Sequence, residues 1–258
     1  MKPVKIKMNV DVLFVFVQII FYAIFLILDL SGEYLLLSRN VKFCAILLCF
    51  CYALFQEKSA DRSILFCMKA GLFFTLLSDL FLLILDCYLY GVLTFIIVQQ
   101  LYGIRILLAD FEVEKKRREL LLHKLPIRII LQLMIAVFIC LILKLAGVYP
   151  DFLLSISIFY FICISTNTIT AVRSAILGSN SNGMVLFAVG MCLFLLCDIN
   201  VGLFNMSGFI TLPEKIGKII YNISSILMWT FYAPSQVLIS LSIKHNLQKN
   251  KKFSCKNM

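Results

Sequence analysis

The chain has 258 residues, of which 62% are hydrophobic and only 15% charged. Its mean hydropathy of +0.98 excludes a water-soluble globular domain, and its apolar runs exceed the roughly 18 residues that mark a membrane-span candidate. The net charge of +10 is scattered over loops and tail rather than gathered on a basic folded domain, which argues against nucleic acid as a partner and for the lipid bilayer.

Eight apolar segments follow in chain order: residues 10–30, 34–55, 63–85, 87–109, 127–147, 152–172, 184–204 and 219–242. Strand alternation is absent, and a helix satisfies its own backbone hydrogen bonds in hydrocarbon. The predicted fold is therefore all-α, a polytopic membrane protein with a bundle of eight transmembrane helices in one domain over residues 1–258. Residues 1–7 and the first run resemble a signal peptide, but no small-residue cleavage site follows, so a retained first helix is expected.

The second segment is unusual. Its uninterrupted apolar part, residues 41–55, is too short for a core about 30 Å thick, so it must recruit residues 34–37 and carry Lys42 below the surface. The alternative makes residues 35–40 an interfacial turn. Segments three and seven carry the most informative residues, Asp79 and Asp198. A carboxylate at mid-span costs roughly 2.5–3.5 kcal/mol on insertion scales, so it persists where it faces other helices or a watered cavity.

Between segments four and five, residues 110–126 read either as a lipid-headgroup or regulatory patch or as a solvated loop that fixes topology. The basic tail, residues 243–258, reads the same way. With the N terminus inside, seventeen basic residues fall on the inner side and five on the outer, so both termini are expected in the cytoplasm, with the plasma membrane as the default location. The ten cysteines sit mostly within helices, and Cys49 and Cys51 lack both ligand spacing and a partner pair; no metal, cofactor or disulfide is assigned.

At 1.5 Å per residue, Asp79 and Asp198 lie about 24 and 21 Å above the inner ends of their segments, and Lys42 falls near that level. The three can meet, either as a site or as a buried structural ion cluster. Lys69 and Arg105, near helix ends, are expected to snorkel, and Asp29 and Asp86 to be interfacial. Asn167 is expected to line the cavity or to join helices by hydrogen bonding. His123 and His245 have no partner pattern and are assigned nothing. Pro234 is expected to bend the last helix. Asp79 and Asp198, four helices apart, form a weak internal echo that would imply parallel rather than inverted repeats.

Segment three reads Leu76-Leu77-Ser78-Asp79-Leu80-Phe81-Leu82, and segment four holds Gly91, Phe95, Gln99 and Tyr102 at spacings of four, four and three. This resembles the YhhN-like family, the integral membrane lysoplasmalogenases, whose pattern is Gly-Asp-x-x-Leu followed by Gly-x-x-x-Phe-x-x-x-His-x-x-Tyr. Ser78 stands for the glycine and Gln99 for the histidine. Phe194 to Asp198 is similar to the family's Phe-x-x-Ser-Asp, and Tyr232-Ala233-Pro234-Ser235-Gln236-Val237-Leu238-Ile239 to its Tyr-x-x-x-Gln-x-Leu-Ile. Lys42 takes the lysine of its Lys-Pro-Leu, with Phe43 for the proline. The resemblance spans about residues 40–242.

The resemblance implies a membrane hydrolase that cleaves the vinyl ether of a lysoplasmalogen, a lysophospholipid substrate, to a fatty aldehyde and a glycerophospho-base. Such chemistry calls for one neutral carboxyl and one ionised group, which Asp79 and Asp198 can supply as an acid/base pair. Lys42 would hold one of them ionised or bind the substrate phosphate, while Gln99, Tyr102, Tyr232 and Gln236 would orient groups or serve packing alone. Gln99 cannot titrate as a histidine does, which leaves an inactive member with a structural or sensory role as one alternative. A proton- or ion-coupled transporter is another, although no matching pair of broken helices in inverted halves supports it.

Overall fold

A computed structural model describes residues 10–32, 34–56, 62–109, 114–177, 182–208 and 213–245. Residues 1–7 and the basic tail beyond residue 245 lie outside the described residues. Eight long helices follow one another: α1 (Val10–Ser31), α2 (Leu35–Leu54), α3 (Arg62–Asp79), α4 (Tyr88–Ala109), α5 (Glu114–Leu145), α6 (Phe152–Leu177), α7 (Asn182–Asn205) and α8 (Glu214–His245). Each is long and apolar enough to cross a membrane, α3 together with the turn that follows it. The chain is a multi-pass membrane protein. Eight alternating spans put the start of α1 and the end of α8 on one face, called the terminal face below.

Local chemistry sets several helix ends. Asp151 caps α6, its carboxylate accepting the Leu154 N–H at 2.7 Å. Gly147, at φ +85°, lets the chain leave α5 while the Val148 N–H reaches back to the Leu143 carbonyl at 2.9 Å. Lys69 donates to the carbonyl of Leu54 at the end of α2, 3.0 Å away, an exposed hydrogen bond at a helix end that agrees with the expected snorkelling.

Helix α3 does not end at Asp79 but widens into a π-helical turn, Leu80–Ile84, closed by the Leu85 N–H on the Leu80 carbonyl at 3.1 Å. The wider turn carries Leu82 to Gly91 of α4, where an added Cβ would stand 2.5 Å from the leucine side chain. Asp86, just beyond, pairs with Arg39 at 3.2 Å in an exposed interfacial bridge.

The second segment is helical from Leu35, so the interfacial-turn alternative is set aside and Lys42 is buried within the bundle. The reading of residues 110–126 as a loop is corrected: from Glu114 onward they belong to α5, which carries Pro126 within it. Lys, Glu, Arg and Leu are strong helix formers, and their solvation does not require a loop.

The larger of two apolar clusters among the described residues joins side chains from α2, α3, α4, α6, α7 and α8, including Met68, Leu72, Phe95, Val98, Phe187, Met191, Phe194 and Ile239, and a smaller one holds Phe14 and Tyr52. The most extensive helix pairing is α7 on α8, where Gly190 admits Ile239 and the Ser235 carbonyl. Helices α1 and α5 are peripheral and turn Phe16, Ile27, Leu131, Phe138 and Leu141 outward, the surface a bilayer would cover.

Candidate functional site

Asp79, at the junction of α3 with its π turn, is 3% exposed. Its carboxylate accepts a 2.7 Å hydrogen bond from the Tyr232 hydroxyl of α8. Asp198 of α7 is held in the same way, by the Tyr160 hydroxyl of α6 at 2.7 Å, but it is partly exposed. One aspartate is sealed and the other opens toward the surface.

Aromatic rings join the two pairs. Phe95 of α4 lies with its ring centroid 5.7 Å from that of Tyr160 and 6.4 Å from that of Tyr232. Phe194 of α7 sits 5.7 Å from Phe95 and 5.4 Å from Tyr232. Cys197 is within electrostatic reach of both carboxylates, as Tyr160 is of Tyr232. The two aspartates therefore belong to one cluster built from five helices, α3, α4, α6, α7 and α8.

Lys42 does not join it. Its ammonium pairs with Asp29 of α1, at 2.7 and 2.9 Å from the two carboxylate oxygens, and the Ser38 hydroxyl adds a 2.5 Å hydrogen bond to the same carboxylate. Asp29 lies two residues from the end of α1, at the helix end where it is expected, and is partly exposed. Depth fixes a level along the bundle but not the direction a side chain faces, and α1 supplies the nearer anion. Lys42 also lies over the Trp229 ring, 4.8 Å from its centroid, and Trp229 is 5.2 Å from Tyr232. Two rings thus separate the lysine from Asp79.

Gln99 is buried beside Tyr160. Asn167 of α6 donates to its side-chain oxygen at 2.8 Å and to its backbone carbonyl at 2.7 Å. Arg128 of α5 in turn donates to the Asn167 side-chain oxygen. This arrangement turns the Gln99 amide nitrogen away from Asn167. The nitrogen is buried without a hydrogen bond of good geometry, although the side chain is within reach of the Tyr160 hydroxyl. Asn167 therefore links helices, and Arg128, which basic-residue counting assigns to the inner surface, extends into the bundle.

Tyr102 and Gln236 lie nearer the terminal face than the aspartates. Tyr102 fills the notch at Gly71, its ring 5.5 Å from that of Phe187. Gln236, one turn beyond Tyr232, is fully buried and reaches the Ser235 hydroxyl at 3.2 Å. Ser78, in the place of the resembled glycine, meets the Thr94 hydroxyl at 2.6 Å and ties α3 to α4.

Sequence reasoning missed Tyr160. The depth arithmetic held a signal for it: Tyr160 lies about 12 Å below the outer end of its segment and Asp198 about 9 Å below the outer end of its own. A buried tyrosine needs a partner for its hydroxyl, which makes an acid at that depth the natural place to look.

Of the side chains that satisfy the spacing pattern, Leu82 sits in the notch of Gly91 and Asp79, Phe95, Phe194, Asp198 and Tyr232 share one cluster, while Lys42, Tyr102 and Gln236 lie outside it. A family model described as the YhhN family matches residues 37–243. The chain belongs to the YhhN family. No curated protein and no solved structure matches it significantly. The matched span begins after α1, so the Asp29 that neutralises Lys42 comes from outside the YhhN match.

Two surface grooves lie away from the aspartates. One, of about 530 Å³ between α5 and α6, is lined by Leu133, Cys140, Lys144, Tyr149 and Phe159 among others. Phe159 precedes Tyr160, the residue that holds Asp198.

Proposed function

We propose that this YhhN protein is a membrane-embedded hydrolase that cleaves the vinyl ether bond of lysoplasmalogen-like lipids. The observation that carries the reading is the convergence of Asp79 and Asp198, each held by a tyrosine hydroxyl at 2.7 Å, around Phe95 and Phe194. Supporting it, both aspartates stand in the motifs that resemble the family's, and the family match covers both.

The reaction needs two proton-handling groups and one water. A carboxyl group gives its proton to the outer carbon of the vinyl ether, and the positive charge settles on the ether oxygen and its neighbouring carbon as an oxocarbenium ion. Water adds to that carbon and passes a proton to the other carboxylate, leaving a hemiacetal. The hemiacetal hydroxyl then loses its proton as the carbon–oxygen bond to glycerol breaks and the glycerol oxygen takes a proton from the pair. The products are a fatty aldehyde and a glycerophospho-base, with one water consumed and both carboxyls restored. Tyr232 and Tyr160 hold the two carboxylates in place. The rings of Phe95 and Phe194 offer a polarisable face to the cation.

A lysophospholipid substrate would enter from the bilayer on the Asp198 side, where that residue is partly exposed. The excess of basic residues makes the terminal face the cytoplasmic one, and the plasma membrane is the proposed location.

The experiment is aldehyde release from lysoplasmalogen by the purified protein in detergent, beside Asp79→Asn and Asp198→Asn. Each variant is expected to lose at least about 100-fold in rate, the scale of general acid–base catalysis. Gln99 in the place of the resembled histidine favours a second reading, a catalytically silent member in which the same cluster is structural. Absence of aldehyde from the wild-type protein would support that reading instead.

A further inference from the structure

A polar seam descends from Asp79 toward the terminal face. On α8, Tyr232, Gln236 and Ser240 recur every fourth residue and share one side of the helix, covering about 12 Å. Thr75 lies one turn from Asp79 on α3, and Tyr102 lies beside both Thr75 and Cys49. Cys49 sits beside Ser240 and within electrostatic reach of Asp79. Arg105 follows Tyr102 on α4, about 6 Å from the end of that helix.

These residues are sealed from the surface yet only partly paired. Gln236, Ser240, Tyr102, Thr75 and Arg105 are all 0% exposed, and Cys49 is 1% exposed. Among the described residues, seven buried side-chain polar atoms have no hydrogen-bond partner, and five of them lie in this seam: Gln236 Oε1, Ser240 Oγ, Tyr102 Oη, and Arg105 Nε and Nη2. Thr75, whose hydroxyl donates to the Gly71 carbonyl at 3.0 Å, lies near the Tyr102 hydroxyl but without a hydrogen bond of good geometry.

Arg105 corrects the expectation that it snorkels. Its guanidinium lies 3.7 Å from the Phe187 ring centroid and gives one donor to the Met184 sulfur at 3.3 Å. Neither ion pair among the described residues involves it. A buried cation with free donors and no carboxylate is tolerated when water solvates it, and buried water characteristically takes polar groups that the protein leaves over.

We propose that this seam holds a file of bound water connecting the terminal face to Asp79, and that it delivers the water consumed at the site. The second half of the statement rests on the proposed hydrolase activity; the first does not. Ether hydrolysis needs water at Asp79, beside which the rings of Phe95, Phe194 and Trp229 pack against Tyr232. Asp79, at 3% exposure, meets that water through the protein, whereas Asp198 is the partly exposed member of the pair. Gln236 becomes a water-positioning residue rather than one that orients substrate, which also explains why it lies below the aspartates without touching them.

The test is X-ray hydroxyl-radical footprinting of the full-length protein in detergent, in which radiolysis of bound water oxidises the side chains beside it. Cys49 and Tyr102 are expected to be labelled several-fold faster than Met68 and Met191, which are equally buried but lie in the apolar cluster. Labelling no faster than at those methionines would overturn the file. Gln236→Met, which keeps the side-chain volume, and Ser240→Val are expected to slow the labelling, with folding checked by thermal unfolding. The same variants are expected to lower kcat several-fold with KM little changed. Reduced labelling with an unchanged kcat would overturn water delivery, whereas wild-type protein that is labelled but releases no aldehyde would overturn the hydrolase reading and leave the file standing.

Discussion

Tyr232 and Asp79 are 153 residues apart in the chain and 2.7 Å apart in the fold. The hydrogen bond fixes one carboxylate oxygen while the tyrosine ring packs edge-on against Phe194 and Trp229. Tyr160 does the same for Asp198. Each acid is thus set by a helix other than its own, and the pair depends on the bundle being closed.

Tyr232→Phe and Tyr160→Phe should separate this positioning from packing. Each keeps the ring and removes the donor, so the expected loss of stability is about 1–2 kcal/mol. Losing a hydrogen bond to a reacting carboxylate should lower kcat by about 10- to 100-fold, with a smaller change in KM. Thermal unfolding and aldehyde release measure the two. An unchanged kcat in both variants would mean that the hydroxyls only hold the helices together.

Gln99 is the next point of test. Its side-chain oxygen accepts from Asn167 at 2.8 Å, and its nitrogen is the free end beside Tyr160. A neutral imidazole has one acceptor and one donor and can meet both demands, so Gln99→His is expected to raise aldehyde release. The gain should vanish at acid pH, because imidazolium has two donors and no acceptor for the Asn167 amide. Gln99→Leu leaves that amide with only the backbone carbonyl and should cost about 1–3 kcal/mol in stability. A rate for Gln99→His below that of wild type would argue against a proton-relay role at this position.

The eight helices were legible because hydrocarbon allows a spanning chain little besides a helix, so hydropathy and length alone located them. The shared level of Asp79 and Asp198 was legible for the same reason, since helical rise converts residue number into depth. Azimuth was not. Lys42 lies near the right level but pairs with Asp29, and Arg105 near a helix end looks as though it can reach water yet lies at 0% exposure against Phe187. Which way a side chain faces is set by how neighbouring helices pack, and small residues such as Gly71 and Gly103 decide that through contacts with no signature in hydropathy. Tyr160 was missed on the same ground.

The Lys42–Asp29 pair gives a measurable coupling. With side chains only 9% and 14% exposed, Lys42→Met leaves a carboxylate with the Ser38 hydroxyl as its remaining partner. The expected cost is about 1–3 kcal/mol, less than for a fully sealed pair because solvent still reaches both groups. Lys42→Met combined with Asp29→Leu removes both charges and should recover most of that loss. A double-mutant cycle by thermal unfolding reads the coupling, and strict additivity would show that the pair does not hold α1 to α2.

Three helix glycines should rank by what an added Cβ meets. At Gly71 it would stand 2.4 Å from Tyr102 Cε1. That ring is fully buried and has Phe187 against it, so Gly71→Ala must displace packed core and should cost about 1–3 kcal/mol. At Gly103 the nearest atom is Arg128 Nη1 at 2.6 Å, the far end of a flexible, half-buried side chain. Gly103→Ala should therefore cost less than about 1 kcal/mol while loosening the Arg128 contact with Asn167. At Gly202 nothing lies within 4 Å, and alanine's better helix propensity should add about 0.5–1 kcal/mol. The expected order of Tm in detergent is Gly202→Ala, wild type, Gly103→Ala, Gly71→Ala. If Gly71→Ala proved milder than Gly103→Ala, the Tyr102 ring would have room to move, and the tight packing of α3 on α4 below Asp79 would have to be abandoned.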